Sequence, residues 1–184
     1  MQFEQRTVTC GELRAAHIGK TVVLNGWVHR KRDHGGITFI NIRDRYGVTQ
    51  VVVDVDSAQE LLDIANELKM EYCVSIRGMV RPRPDTMVNP SMLTGEIEVK
   101  AENIQILSRC SSLPFMIDEQ TDAKEDMRLT YRYLDLRSFS MQRKIRLLPE
   151  AALAVREYLV GKGFSEIETP TFLRYTPADA RESM

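Results

Sequence analysis

The most restrictive feature of this sequence is a series of short stretches in its N-terminal part that alternate apolar and polar residues. Successive side chains of a β-strand point to opposite faces, so this alternation predicts half-buried strands. A single amphipathic helix, residues 58–68, is predicted after the third stretch, with Asp56 and Ser57 as its N-cap. The five predicted strands are residues 21–29, 37–43, 49–55, 72–81 and 96–107.

This order of elements, with one helix between the third and fourth strands, is that of an oligonucleotide-binding (OB) barrel. Residues 33–36 (Asp-His-Gly-Gly) predict a turn between the first two strands, and residues 44–47 predict another before the third. A proline-containing loop, residues 82–95, precedes the last strand. In an OB barrel, the loops between strands one and two and between strands four and five frame the ligand face. We therefore predict a mainly β domain over residues 1–109.

The composition changes after this domain. Residues 110–130 are rich in acidic side chains and are predicted to form an interdomain linker or hinge. Residues 131–184 are predicted to begin a second domain, with a helix at 150–162 that ends at the glycines near 163 and a short strand at 164–167.

The overall charge and the cysteines limit the kinds of function to consider. The 184 residues carry a formal net charge of −1, so nucleic-acid binding would need a local basic patch rather than a basic surface. Three widely spaced cysteines fit neither a disulfide framework nor a zinc site. No apolar run approaches the ~20 residues of a membrane span, and the N-terminus lacks a signal-peptide core. We expect a cytoplasmic protein without a membrane segment or a bound metal.

Side-chain alternation also indicates which face of the barrel binds a ligand. It places Phe39 on a polar face together with Gln50, Arg81 and Glu98. An aromatic ring among such groups can stack on an unpaired base, which contributes roughly 1–3 kcal/mol per base. The alternative is an isolated exposed phenylalanine without a role, which is common on protein surfaces.

The basic run at residues 29–32 (His-Arg-Lys-Arg) has two interpretations. Its place beside the first turn favours phosphate contacts, and the alternative is a solvated strand end. Alternation does not settle the orientation of Arg30 and Arg32, because both share the parity of Val28. We expect Trp27 to pack in the barrel rather than to contact a ligand.

Several blocks of the chain, in matching order, resemble bacterial-type aspartyl-tRNA synthetases. The C-terminal residues 163–170 also resemble motif 1 of class II aminoacyl-tRNA synthetases, which implies the start of an α/β catalytic domain. The blocks are residues 9–14 (Thr-Cys-Gly-Glu-Leu-Arg), 26–28 (Gly-Trp-Val), 30–33 (Arg-Lys-Arg-Asp), 39–45 (Phe-Ile-Asn-Ile-Arg-Asp-Arg), 94–99 (Thr-Gly-Glu-Ile-Glu-Val) and 131–137 (Tyr-Arg-Tyr-Leu-Asp-Leu-Arg).

The resemblance implies that the barrel binds the tRNA anticodon. Phe39 would stack on the central uridine and Gln50 would hydrogen-bond to it. His34 and Thr86 match the non-discriminating type of enzyme, which charges both tRNA-Asp and tRNA-Asn (anticodons GUC and GUU) before an amidotransferase converts the second product. The residues implied to contact the other anticodon bases or phosphates are Arg30, Arg32, Arg81, Arg83 and Glu98.

For the complete enzyme, the resemblance implies aspartate activation with ATP and Mg²⁺ and a homodimer held by motif 1. Phe164, Ile167 and Pro170 would lie at that dimer interface. Motifs 2 and 3 are absent from the chain, so we expect it to bind tRNA but not to bind ATP or to aminoacylate. The alternative is a stand-alone OB-fold RNA-binding or regulatory paralogue without ligase activity. A third possibility is a non-specific single-strand binder.

Three departures from the family pattern stand near the C-terminus. Pro149 falls where the family's helix is unbroken, which predicts that the helix restarts there. Residues 176–181 (Thr-Pro-Ala-Asp-Ala-Arg) replace the usual Pro-Glu-Gly-Ala-Arg, so the glutamate that approaches the amino acid is missing. Residues 140–184 would leave an apolar surface uncovered, which predicts poor order or dimerisation.

Overall fold

The computed structural model describes residues 3–118 and 121–170 and divides the chain into two compact units, Met1–Met116 and Ile117–Met184. The first unit contains five strands with one helix between the third and the fourth, which confirms the predicted OB order. Its elements are β1 (Thr21–His34), β2 (Ile37–Arg43), β3 (Val48–Val53), α1 (Gln59–Glu67), β4 (Cys73–Pro82) and β5 (Ile97–Ser108).

The strands form a closed ring in the order β1-β2-β3-β5-β4, with β4 returning to β1. All neighbouring pairs are antiparallel except β3 and β5, which run parallel. The ring encloses one apolar core to which every strand contributes. Its fully buried side chains include Leu24, Val28, Ile40, Ile42, Val51, Val53, Val74, Ile76, Ile97 and Val99.

The hairpin between β1 and β2 is longer than predicted, because β1 continues to His34. Its turn is made by Gly35 and Gly36, both with positive φ (59° and 82°). This is the backbone that a two-residue type I′ turn requires and that glycine adopts without strain. The long hairpin carries the basic run up to the rim of the barrel.

A β-bulge at His29 reverses the alternation within β1. Val28 pairs with Ile42, but the next pair is Arg30 with Asn41, so His29 is an extra residue on this strand. After such an insertion, side chains of the same parity point to the opposite face. Val28 is therefore buried while Arg30 and Arg32 are exposed.

The predicted N-cap of α1 is wrong. Ala58 occupies the cap position without a side-chain hydrogen bond, and its carbonyl accepts from the amides of Leu61 and Leu62. The amide of Ser57 instead donates to the carbonyl of Asp54 (3.1 Å), so Ser57 belongs to the turn that ends β3. The helix still buries its predicted apolar face, including Leu61.

The second unit contains the helices α2 (Glu125–Thr130), α3 (Arg132–Asp135) and α4 (Phe139–Gly161). Helix α2 lies within the segment predicted to be a structureless linker. Ser138 is the N-cap of helix α4, and its side chain accepts from the amide of Met141. The helix continues through Pro149. The predicted start at residue 150 and the restart at Pro149 are therefore both wrong.

Helix α4 ends as predicted, at a glycine. Gly163 has a φ of 86°, and the amides of Gly163 and Phe164 bond to the carbonyls of Val160 and Leu159, which is a Schellman motif. The strand predicted at 164–167 is wrong, since residues 164–170 have no regular structure. A strand needs a neighbour for its backbone hydrogen bonds, and the described part of this unit contains no other strand.

Three further observations concern membranes, thiols and the single tryptophan. None of the helices in the described ranges combines the length and the apolar character needed to cross a membrane. The three cysteines are free thiols, and Cys10 is buried. Trp27 is half-buried in β1, where it pairs with Arg43 on one side and Cys73 on the other. It is not part of the central core, so it packs at the periphery of the barrel.

Candidate nucleic-acid interface

An open cleft of about 720 Å³ lies between the β1–β2 hairpin and the loop that joins β4 to β5. The barrel contributes its floor, and the two loops that frame the ligand face of an OB fold contribute its sides. The cleft is lined by Arg32, Asp33, His34, Phe39, Gln50, Arg83, Met87 and Asn89. Five of these residues belong to the nine implied by the resemblance.

Phe39 is the aromatic residue of the cleft. It is half-buried in β2, paired with Arg32 on β1 and with Val52 on β3. A ring held by its strand and open on one side costs little conformational entropy when a planar ligand stacks on it. The guanidinium of Arg32, on the neighbouring strand, adds positive charge beside this surface.

Gln50 is linked to two charged residues behind the cleft. Its Nε2 donates to Oε2 of Glu98 (3.0 Å), and Nε of Arg81 donates to Oε1 of the same carboxylate (2.8 Å). Gln50 and Glu98 are buried, so the polar face predicted from alternation is a bonded network and not a solvated surface. An ionised carboxylate only accepts, so the amide nitrogen of Gln50 must face Glu98 and its oxygen is the acceptor.

Asp54 and Lys100 extend this network, and sequence reasoning assigned neither of them a role. The two Nη atoms of Arg81 donate to the two oxygens of Asp54 (2.8 and 3.0 Å), and Nζ of Lys100 lies 3.1 Å from the same carboxylate. The hydrogen bond from Arg81 holds the pKa of Asp54 below its usual range, and Asp54 in turn raises the pKa of Arg81. The sequence contained a signal for Asp54, because this residue directly follows β3 and has the same parity as Gln50.

Arg83 lies in the wall of the cleft and is buried. Its Nε donates to the carbonyl of Ile97 (2.8 Å). Burial lowers the pKa of this guanidinium, Glu98 raises it in part, and the positive charge of Arg32 lowers it further. The mutual repulsion of two guanidinium groups at one cleft favours an anionic ligand between them.

The remaining implied residues lie around this cleft rather than in it. Thr86 is exposed in a 3-10 turn, Asp85–Met87, whose last residue lines the cleft. Arg30 is exposed on β1 next to Asn41 and does not line it. Met87 and Asn89 were missed, because a loop has no side-chain periodicity from which its inward residues can be read.

The assignment of motif 1 residues to a dimer interface stays a prediction. Phe164, Ile167 and Pro170 are exposed in an irregular segment, and the departure at 176–181 lies outside the described residues. Within 3–118 and 121–170, no group of three or more His, Cys, Asp or Glu side chains is placed to hold a metal ion.

Two family models match separate parts of the chain. Residues 22–107 match the OB-fold nucleic acid binding domain, and residues 124–183 match the class II tRNA synthetases (D, K and N). The first match covers the barrel with its cleft, and the second covers the described helices of the second unit.

Curated relatives and solved structures agree with these matches. The chain is 61% identical over 182 residues to aspartate–tRNA(Asp/Asn) ligase of Treponema denticola and 50% identical to that of Treponema pallidum (strain Nichols), covering 99% of this chain and 31% and 30% of the relatives. It thus spans about a third of their length. Asparaginyl-tRNA synthetase from Pyrococcus horikoshii matches 89% of this chain and 37% of its own, with a TM-score of 0.76 and 28% identity.

Proposed function

Because this chain belongs to the family of class II aspartyl-tRNA synthetases, we propose that its barrel binds the anticodon loop of a tRNA. The observation that carries the proposal is the cleft, which Phe39 and Gln50 line together with the guanidinium-bearing residues Arg32 and Arg83. Sequence-specific proteins read RNA mainly at unpaired bases, by stacking and by hydrogen bonds to the base edge. The cleft offers both.

Each group has a separate part in this recognition. Phe39 stacks on the central anticodon base, and the acceptor oxygen of Gln50 meets the N3–H donor of uridine. Arg32 and Arg83 attract the phosphates on either side, which positions the loop without reading its sequence. A cytidine would present an acceptor at N3 to the acceptor of Gln50, and its binding would be weaker.

We propose in addition that the chain is part of a cytoplasmic enzyme that joins aspartate to both tRNA-Asp and tRNA-Asn. Support comes from the relatives named aspartate–tRNA(Asp/Asn) ligase and from His34, which lines the cleft close to the turn that carries Thr86. ATP and Mg²⁺ for activation, a homodimer, and an amidotransferase acting on Asp-tRNA(Asn) belong to the same proposal. To the residues of the cleft we assign recognition of the tRNA.

The test of anticodon binding uses stem-loops with the anticodons GUC, GUU and GCC, titrated onto the 184-residue chain at one fixed salt concentration. Fixed salt matters because phosphate contacts make affinity depend on ionic strength. We expect GUC and GUU to bind alike and GCC to bind more weakly. Phe39→Ala should lose roughly 1–3 kcal/mol for GUC, which is the value of one stacked base. Tyr46→Ala is the matched control, since Tyr46 is an exposed aromatic residue outside the cleft.

Equal affinity for all three loops would contradict anticodon reading and would favour a non-specific single-strand binder. Charging of both tRNAs is tested separately, by aminoacylation of tRNA-Asp and tRNA-Asn transcripts with the full-length enzyme. A strong preference for tRNA-Asp would contradict the non-discriminating type. Loop binding by a full-length protein that charges neither transcript would favour a regulatory paralogue.

A further inference from the structure

We infer that Asp54 is a positioning residue that makes this cleft select uridine over cytidine at the middle of the anticodon. It acts through Arg81 and Glu98 on the amide of Gln50 and does not itself line the cleft. The inference rests on the proposed anticodon binding and goes further, since it identifies what fixes the polarity of the reading group.

The four side chains form a chain of directed hydrogen bonds. Both Nη atoms of Arg81 donate to Asp54, Nε of Arg81 donates to Oε1 of Glu98, and Oε2 of Glu98 accepts from Gln50. The guanidinium is planar and rigid, so fixing its Nη edge on Asp54 also fixes the direction of its Nε–H. The orientation of the Gln50 amide therefore depends on Asp54, a carboxylate four residues further along the sequence, through Glu98 and Arg81.

Asp54 prevents a competing arrangement. A guanidinium and a carboxylate prefer to pair through two parallel hydrogen bonds. Without Asp54, Arg81 would be free to turn its Nη edge to Glu98 and occupy both oxygens of that carboxylate. A guanidinium N–H would then compete with Gln50 for Oε2 of Glu98, and the less firmly held amide could present either nitrogen or oxygen to the cleft.

The orientation of this amide decides which base fits. Uracil has an N–H donor at N3, whereas cytosine has an acceptor there and an amino donor beside it. A fixed acceptor oxygen favours uracil, but an amide free to flip satisfies either base. Loss of Asp54 should therefore reduce the preference for uridine about tenfold, the equivalent of one hydrogen bond of about 1.4 kcal/mol.

The decisive experiment compares Asp54→Asn with Asp56→Asn in the full 184-residue chain. Both substitutions remove one negative charge from the same end of β3, and both acids contact Lys100. Only Asp54 contacts Arg81, and Asp56 is 72% exposed. The measured quantity is the ratio of the dissociation constants for GCC and GUC stem-loops. We expect Asp54→Asn to lower this ratio about tenfold and Asp56→Asn to leave it unchanged.

A second readout needs no RNA. The side-chain amide signals of Gln50 in ¹H–¹⁵N NMR spectra should shift or broaden in Asp54→Asn and remain in place in Asp56→Asn. If Asp54→Asn does not fold, Arg81→Lys replaces it, because a single ammonium group cannot hold both carboxylates in one plane. That variant should lower the ratio in the same way.

Each outcome supports or overturns the inference. An unchanged ratio in Asp54→Asn, or equal changes of affinity for both loops, would reduce Asp54 to a source of charge and overturn it. Unchanged side-chain amide signals of Gln50 in Asp54→Asn would also overturn the inference. A wild-type chain with no preference for GUC over GCC would instead contradict the proposed function, and the Gln50 signals would still report on the hydrogen-bonded chain.

Discussion

The strongest stability prediction concerns the ion pair between Arg43 and Glu71. Nη2 of Arg43 lies 2.6 Å from Oε1 of Glu71, and the two side chains are only 4% and 3% exposed. Nη1 of the same guanidinium lies 2.8 Å from Nδ1 of His29, the bulge residue of β1. We expect Glu71→Ala to destabilise the barrel strongly, because it leaves the buried charge of Arg43 without its counter-charge.

The expected loss is about 3–5 kcal/mol, the usual effect of removing one partner of a buried pair. Small domains have a total stability of about 5–15 kcal/mol, so the loss is a large fraction of it. Glu71 has a positive φ of 64°. Alanine retains the Cβ atom and hence the same backbone strain, so the substitution isolates the carboxylate. With a urea m-value of about 1–3 kcal/mol/M, the unfolding midpoint should fall by roughly 2 M.

Urea unfolding followed by the fluorescence of Trp27 measures this loss, because Trp27 is the single tryptophan and lies in β1. The control is Glu67→Ala. Glu67 accepts from Arg109 at 2.5 Å, but these side chains are 44% and 64% exposed. An exposed pair of this kind contributes at most about 1 kcal/mol. Equal losses for the two substitutions would refute the argument from burial. Replacing both partners, in Arg43→Met with Glu71→Leu, should restore much of the stability.

Two further outcomes are expected. Pro149→Ala should stabilise helix α4 by up to about 3 kcal/mol of free energy, because proline inside a helix has no N–H to donate to the preceding turn. Thermal melting followed by circular dichroism at 222 nm measures this gain, and an unchanged melting curve would contradict it. Burial, together with the charge of Asp44, raises the pKa of the Cys10 thiol well above its ordinary value. Iodoacetamide at pH 8 should therefore label Cys110 rapidly and Cys10 only as fast as the barrel unfolds. Labelling of both thiols at the same rate would show that Cys10 is accessible in the folded chain.

Alternation was sufficient to predict the order of strands in the barrel, although in β3 every residue after Val48 is buried, on both faces of the strand. It failed where a local feature interrupts the period. The bulge at His29 leaves no mark in the apolar pattern, because the residues that follow it are all polar, so the outward position of Arg30 and Arg32 was not predictable. Asp54 has the same parity as Gln50, but its partner Arg81 comes from a distant strand, so their contact was not predictable from alternation.

Errors in the second unit have a different origin. Proline is a strong sign of a helix boundary, yet α4 continues through Pro149, since the flanking residues on both sides favour a helix. The strand predicted at 164–167 depends on pairing with another strand, and a sequence segment does not contain its own partner. The burial of Glu98 and Gln50 was likewise invisible, because polar residues in a strand are read as solvent-facing unless their hydrogen-bond partners are known.

The closure of the ring has a consequence for synthesis of the protein. Of the five strands of the ring, β5 is the last to be translated. It fills the space between β3 and β4, pairing Val51 with Val99 on one side and Arg81 with Glu98 on the other. Until it leaves the ribosome, the nascent chain has two unpaired strand edges, which are prone to aggregation. Any pause in translation before β5 therefore prolongs the exposure of these two edges.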